Sequence, residues 1–143
     1  HALLLSKKGL AYQPYNSTPT DTTWETCPLR QWLNNDFFNQ AFNADDQNYI
    51  QDSVVTADNN PDYGTDAGND TTDKIFLLSA TEYKRYTEVI TNKDSWWLRT
   101  PGSTQDKAMV VPSIGNSNYT DGVGVYYTGI AVRPAIWVNL DSQ

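Results

Sequence analysis

Few side chains here carry chemistry by type alone, and their spacing narrows the field. Cys27 is the one cysteine and His1 the one histidine. A Ser-His or Cys-His relay needs an imidazole held beside its nucleophile. His1, on the first residue, is expected to be frayed, so no such pair is predicted. One cysteine makes no internal disulfide and no thiolate zinc cluster. Cys27 stands just before Pro28 at an expected helix start, where a thiol can be acidified. Free cysteine is also among the most buried residue types, and packing is the role expected of it.

Carboxylates gather between residues 58 and 73. Asp58, Asn60 and Asp62 alternate before Gly64, like the opening of a calcium loop. The glycine falls one place late, and Asn69 stands where a bidentate Glu would close an EF-hand. Asp66, Asp70 and Asp73 could add further oxygens. Asp, Asn and Gly also form turns for their own reasons, so the expectation is a solvated loop of Asx-turns, with no metal and no cofactor. Paired carboxylates could do acid-base work without histidine, but nothing in the spacing singles out a pair. No catalytic residue is assigned.

Two arginines, Arg99 and Arg133, sit inside strongly apolar stretches, Ser95-Trp96-Trp97-Leu98-Arg99-Thr100-Pro101-Gly102 and Ala131-Val132-Arg133-Pro134-Ala135-Ile136-Trp137-Val138. A buried guanidinium must find acceptors. Backbone carbonyls or a carboxylate are the expected partners, which makes Trp96, Trp97, Arg99, Arg133 and Trp137 structural residues. Between the two stretches, residues 113–128 are rich in Tyr, Ser, Asn and Gly, the residues of adaptable recognition loops. The ligand-binding candidates are Asn116, Asn118, Tyr119, Asp121, Tyr126 and Tyr127, with residues 103–107 as a second contact. The same Asn and Gly would also suit an ordinary hairpin. Strand alternation over residues 123–127 would put Tyr126 and Tyr127 on opposite faces.

These residues need elements to position them. Residues 2–5 read as a buried strand ended by Lys7-Lys8-Gly9. Pro28 suits a first helical position, with Thr26 as a possible cap. Leu29, Trp32, Leu33 and Phe37 recur at helical spacing, with Phe38 and Phe42 extending the apolar side. Residues 53–56, 74–78, 108–111 and 123–127 read as strands. Ser79 and Glu82 form a capping box for a second helix over about residues 80–86. The expected class is α+β, two main helices around a mainly antiparallel sheet, with Trp97 and Ile136 in the same sheet.

At 143 residues the chain suits one domain with its own core, spanning 1–143. It is 38% hydrophobic and 13% aromatic, which is a globular composition. The net charge of -7 argues against a nucleic-acid or anionic-membrane partner. No apolar run is long enough to span a bilayer. Asn, Asp, Thr and Tyr without much Lys suit an extracellular or cell-surface bacterial domain.

The motif order resembles a bacterial family of extracytoplasmic domains of unknown function. Residues Ala2-Leu3-Leu4-Leu5-Ser6, the Thr23-Trp24-Glu25-Thr26-Cys27-Pro28-Leu29 run, Asp73-Lys74-Ile75-Phe76-Leu77-Leu78, the Trp96-Trp97-Leu98-Arg99 strand and Val132-Arg133-Pro134-Ala135 carry the resemblance. That family is similar to the C-type-lectin-like fold, shared with formylglycine-generating enzymes and with variable proteins of diversity-generating retroelements. The resemblance implies a chain cut from a larger protein or lacking an N-terminal strand. It also implies a non-catalytic recognition module of a surface or secreted protein, binding protein or carbohydrate through residues 113–128. The alternatives are an enzyme of other chemistry on the formylglycine-generating scaffold, since the paired cysteines of those enzymes are missing, or a structural spacer. The oligomeric state is left open.

Overall fold

The computed structural model describes residues 1–91, 94–112 and 120–140. The chain opens with β1 (Ala2–Leu5) and β2 (Ala11–Tyr12). A helical run follows as α1 (Pro28–Trp32), a π-helical turn (Leu33–Phe37) and α2 (Phe38–Ala41), then the short α3 (Ala44–Gln47). Strands β3 (Ser53–Val55) and β4 (Thr71–Asp73) bracket the acidic loop, and α4 (Ala80–Arg85) comes next. Five strands follow among the described residues: β5 (Trp96–Pro101), β6 (Lys107–Val111), β7 (Val123–Gly124), β8 (Ala131–Val132) and β9 (Ala135–Val138). The class is α+β, mostly short strands with few helices.

The central sheet has five strands in the order β2-β8-β5-β6-β7. Its pairs are antiparallel except β5 with β8, which run parallel. Smaller antiparallel pairs join β1 to β9 and β3 to β4. The expectation that Trp97 and Ile136 share one sheet is corrected: Trp97 lies in the central sheet, and Ile136 in β9 pairs with β1. The reason lies between β8 and β9. Residues 2–12 run antiparallel along residues 131–138, but the ladder breaks in the middle. Ser6 donates to the Pro134 carbonyl and Leu10 to the Val132 carbonyl, so Lys7, Lys8 and Gly9 bulge out opposite Arg133. Pro134 has no N–H for a ladder bond. Gly9 lies so close to the partner strand that a Cβ would stand 2.6 Å from that of Ala131.

The first helical run also departs from simple periodicity. Residues 33–37 form a single π turn, which inserts one residue into the helical repeat. The buried face is therefore Leu29, Leu33 and Phe38, a spacing of four and then five. Trp32 and Phe37, expected on that face, are half-buried and pack on each other with ring centroids 5.3 Å apart. The N-cap position is Cys27, whose thiol does not cap the helix but donates back to the Trp24 carbonyl, while the Thr26 hydroxyl turns back to the Thr23 carbonyl. The second helix keeps its capping box in full, Ser79 and Glu82 each bonding the other's backbone N–H.

Every residue of β5 is buried. Trp96 and Trp97 face opposite sides, as a strand requires, and both are 0% exposed because both sides are covered. Trp97 donates its indole N–H to the Gln13 carbonyl and packs against Tyr15. Tyr83 of α4 meets Trp96 edge-on at 5.6 Å. Residues 74–78, expected as a strand, join no ladder: Phe76 makes a bridge with Ala135, and the Leu78 carbonyl accepts from the Arg99 N–H of β5, while residues 75–78 are buried.

Candidate functional site

The loops of residues 16–23, 57–70, 102–106 and 120–129 are tied together by their backbones. Asn16 donates its N–H to the Val125 carbonyl, and Val125 donates its own to the Asp106 carbonyl. Thr22 donates to the Gln105 carbonyl, and the Gln105 amide reaches the carbonyls of Thr22 and Asp66. Ser103 donates to the Asp121 carbonyl. The Thr65 hydroxyl donates to the Gly102 carbonyl at 2.6 Å.

Asn60 is the centre of this network. It is 3% exposed and uses its whole amide. Its Nδ2 donates to the carbonyls of Pro101 and Thr120, and its Oδ1 accepts from the N–H groups of Asp62 and Tyr63. Nearby, Gly122 has φ 80° and no room for a side chain: a Cβ there would lie 2.5 Å from the Ala108 carbonyl oxygen and 3.1 Å from the Gly102 Cα. Two glycines thus let the β5–β6 turn and the loop before β7 cross in contact.

The face presents aromatic side chains outward. Tyr126 and Tyr127 are 52% and 57% exposed. They do not alternate across a strand: β7 ends at Gly124, and Tyr127 closes a turn by donating to the Gly124 carbonyl. The expectation of opposite faces is corrected by that turn, and both side chains reach solvent. The neighbouring Val125 is buried and anchors them. The Tyr127 ring lies against Gly129, where a Cβ would be 2.8 Å from the ring. Asp121 has an exposed side chain beside this turn. Asn116, Asn118 and Tyr119 lie outside the described residues. In the second expected contact, residues 103–107, Lys107 donates its N–H to the Thr104 carbonyl. Tyr63, held beside Asn60 and 56% exposed, was not singled out by sequence reasoning. Its flanking Asp and Gly gave only a loop signal.

The acidic loop uses its oxygens locally. Asp70 accepts from the Ala57 N–H, Asn59 from Ala67 and Asp66 from Gly68. The Asp66 bond, like that from Asn60 to the Asp62 N–H, spans two residues as an Asx-turn does, while the other two cross the loop. Among the described residues no group of three or more His, Cys, Asp or Glu stands together. Asp73, read from sequence as one of the loop carboxylates, is 3% exposed. It accepts from the Trp24 indole, the Arg30 guanidinium and the Thr71 hydroxyl.

The model of one protein family, described as a domain of unknown function (DUF6273), matches residues 1–94 and 83–140. The chain belongs to that family. No curated protein and no solved structure matches the chain.

In this DUF6273 domain the two strand arginines are buried, each 4% exposed. Arg99 donates to the carbonyls of Thr56 and Leu77 and pairs with the Glu82 carboxylate. Arg133 donates to the carbonyls of Ser6, Lys7 and Thr91 and lies 4.7 Å over the Trp96 ring. Its guanidinium thus caps the carbonyls that the bulge at residues 7–9 releases from the ladder. Desolvation lowers the Arg133 pKa, and the nearby Tyr83 opposes that shift. Burial pushes the Cys27 thiol from 9.0 up to about 12, so it is a protonated packing group and not a nucleophile at neutral pH. A polar cleft between the first helical run and β4 holds Arg30, Asn34, Asp52, Asp73 and Lys74. Its charges are paired within the cleft, Arg30 with Asp73 and Lys74 with Asp52. The Asn34 amide is used by the backbone of Arg30, Lys74 and Ile75. The cleft therefore offers a reactant no spare acid-base pair.

Proposed function

We propose that this DUF6273 domain is a non-catalytic recognition module of a bacterial surface or secreted protein, with a C-type-lectin-like fold. Its ligand is a protein or a carbohydrate, bound at the face that carries Tyr126 and Tyr127. One observation carries the reading: two adjacent tyrosines stand more than half exposed on a turn whose backbone is bonded and whose neighbour Val125 is buried. A large side chain held on a fixed backbone gives contact area at low entropic cost. Tyr63 and Asp121, on loops bonded to the same network, are exposed as well. The fold assignment rests on the motif order together with the mainly antiparallel five-stranded sheet and its helices.

The test is a screen of the full chain against glycan arrays and bacterial and host surface proteins, repeated with Tyr126→Ala/Tyr127→Ala. A ligand captured by the native chain and lost by the double variant supports the reading. Binding that survives the double variant and is abolished instead by Arg30→Gln or Asp52→Asn assigns the polar cleft and overturns it.

A further inference from the structure

A second concave surface lies away from the loop face. The connection after α4 faces one side of β1 and β9 across a groove of about 550 Å³. Leu3, Leu5, Leu78, Val89, Ile90 and Trp137 supply apolar walls, and Lys7, Thr91 and Arg133 close one end. Those three residues also line an adjoining cavity of about 340 Å³ that reaches Lys8 and Asp94. A volume of this size, apolar with a few charged groups at one end, is the form of a small-molecule site. Val89 is 80% exposed at the rim, an apolar side chain with little cover.

The charge is as uneven as the polarity. The chain carries -7 overall, yet Lys7, Lys8 and Arg133 meet here, and among the described residues Asp94 is the one carboxylate lining the two cavities. The Arg133 guanidinium is bonded to the carbonyls of Ser6, Lys7 and Thr91, so it also occupies the acceptors that would repel an anion. Its charge remains, since arginine does not lose its proton in proteins. Lys7 and Lys8 are exposed on the bulge, Lys7 lining both cavities and Lys8 the adjoining one. From Leu3 to Lys7 the extended chain covers up to ~13 Å, which an alkyl chain of roughly eight to ten carbons spans.

We propose that this groove binds an amphipathic monocarboxylate: an unbranched alkyl chain among the leucines, Val89 and Trp137, and its carboxylate between Lys7 and Lys8. A neutral alcohol of the same length fills the apolar part and wins nothing from the lysines. A cationic amphiphile meets like charge. An inorganic anion gains no apolar burial.

The experiment is calorimetric titration of the full chain with sodium decanoate, 1-decanol and decyltrimethylammonium. Decanoate is expected to bind saturably at one site, and the other two about tenfold or more weakly, the worth of hydrogen bonds to a charged group. Lys7→Gln/Lys8→Gln removes exposed side chains, so the melting temperature should hold while decanoate binding falls about tenfold and decanol binding stays as it was. Val89→Asp, also at an exposed position, should weaken decanoate and decanol alike. Tyr126→Ala/Tyr127→Ala should leave decanoate binding untouched, which separates this site from the loop face. No saturation up to roughly 1 mM decanoate, the weak limit of a specific site, overturns the proposal. Equal binding of decanoate and decanol, or of decanoate by the native chain and the lysine double variant, also overturns it.

Discussion

The junction where β8 gives way to β9 and the loop face built on Asn60 solve one problem in opposite ways. Both hold irregular backbone whose polar groups cannot all find ladder partners, and such groups are costly to leave unbonded. At the junction a long charged side chain does the bonding. Arg133, just after β8, reaches the freed carbonyls of Ser6 and Lys7 and the carbonyl of Thr91, and is itself buried. Arg99 does the same for Thr56 and Leu77. On the loop face the bonding is done by one short amide, by backbone pairs and by glycines that let the chains touch. The large side chains there are left over and point to solvent. The junction has committed its side chains to the fold, whereas on the loop face Tyr63, Tyr126 and Tyr127 stand exposed.

Arg99 is the place where breaking that distinction should cost most. Its charge is paired with Glu82, and its guanidinium also donates to the carbonyls of Thr56 and Leu77 and to the Thr56 hydroxyl. Arg99→Met keeps much of the volume but strands those acceptors and leaves the partly buried Glu82 carboxylate without its counter-charge, held by the Ser79 N–H. The expected loss is about 3–5 kcal/mol, as for removal of one partner of a buried pair. Urea unfolding would measure it. A loss within about 0.5 kcal/mol, the range of ordinary surface changes, would mean that the strand arginines do not hold the junction.

Alkaline pH should weaken the packed side of the molecule through Cys27. In the unfolded chain the thiol ionises near 9.0, and in the folded protein only near about 12. Between those values the folded state holds a proton that the unfolded state has released. Stability from this group is therefore complete below about pH 9, falls by about 1.4 kcal/mol per pH unit through the window, and levels off above it. Tyr15, also held well above its ordinary 10.0 chiefly by burial, adds to the fall at the upper end. Cys27→Ser cannot ionise there and should flatten the slope measured in melts from pH 8 to pH 11. An unchanged slope would place the alkaline loss elsewhere.

Asn60→Ala tests whether the loop face depends on its single amide. It removes bonds to the carbonyls of Pro101 and Thr120 and to the N–H groups of Asp62 and Tyr63. The expected cost is about 2–3 kcal/mol, since the site is nearly closed to water. Arg133→Leu should cost about 1–3 kcal/mol, because the groove beside it lets water reach part of what it bonds. If thermal melts rank the pair in the opposite order, the junction and not the amide is the tighter knot. An unchanged melting temperature in Arg133→Leu would reopen a ligand role for that side chain.

What the sequence disclosed follows how local each cause is. The capping box at Ser79 and Glu82 involves residues three apart, and it was legible. So was the apolar run of β5, whose burial is written in its own composition. The strand at residues 2–5 was legible too, but its expected burial is corrected: Ala2, Leu3 and Leu5 are half-buried and Leu4 is exposed, because among the described residues β1 pairs with β9 alone. The π turn was not legible, because a one-residue insertion leaves Leu29, Trp32, Leu33 and Phe37 looking periodic while moving Phe38 into the core. The division of residues 131–138 between two sheets depends on a partner strand more than a hundred residues away. Asp73 and Asn60 read as loop residues for the same reason. Their partners, Trp24 and Arg30 for one, Pro101 and Thr120 for the other, stand 41–60 positions off. Tyr126 and Tyr127 were read as strand because their neighbours are apolar, and the turn at Gly124 decided otherwise.

The smallest effect on stability belongs to those tyrosines, and it sharpens the comparison most. Tyr126→Ala and Tyr127→Ala remove side chains more than half exposed, with the backbone beneath them held by Val125 and by the turn bond to Gly124. Each should shift stability by no more than about 0.5 kcal/mol. Tyr127 should show the larger shift of the two, because its ring rests on Gly129. Against a ligand of the loop face the same changes should cost about 1–2 kcal/mol or more each, as loss of an aromatic anchor does. The two should combine less than additively where both rings meet one ligand group, since neighbouring contacts couple. Melting curves and binding isotherms on the single and double variants read both quantities from the same samples. A large loss of stability with no loss of binding would make the tyrosines part of the fold, and the loop face would then be another junction.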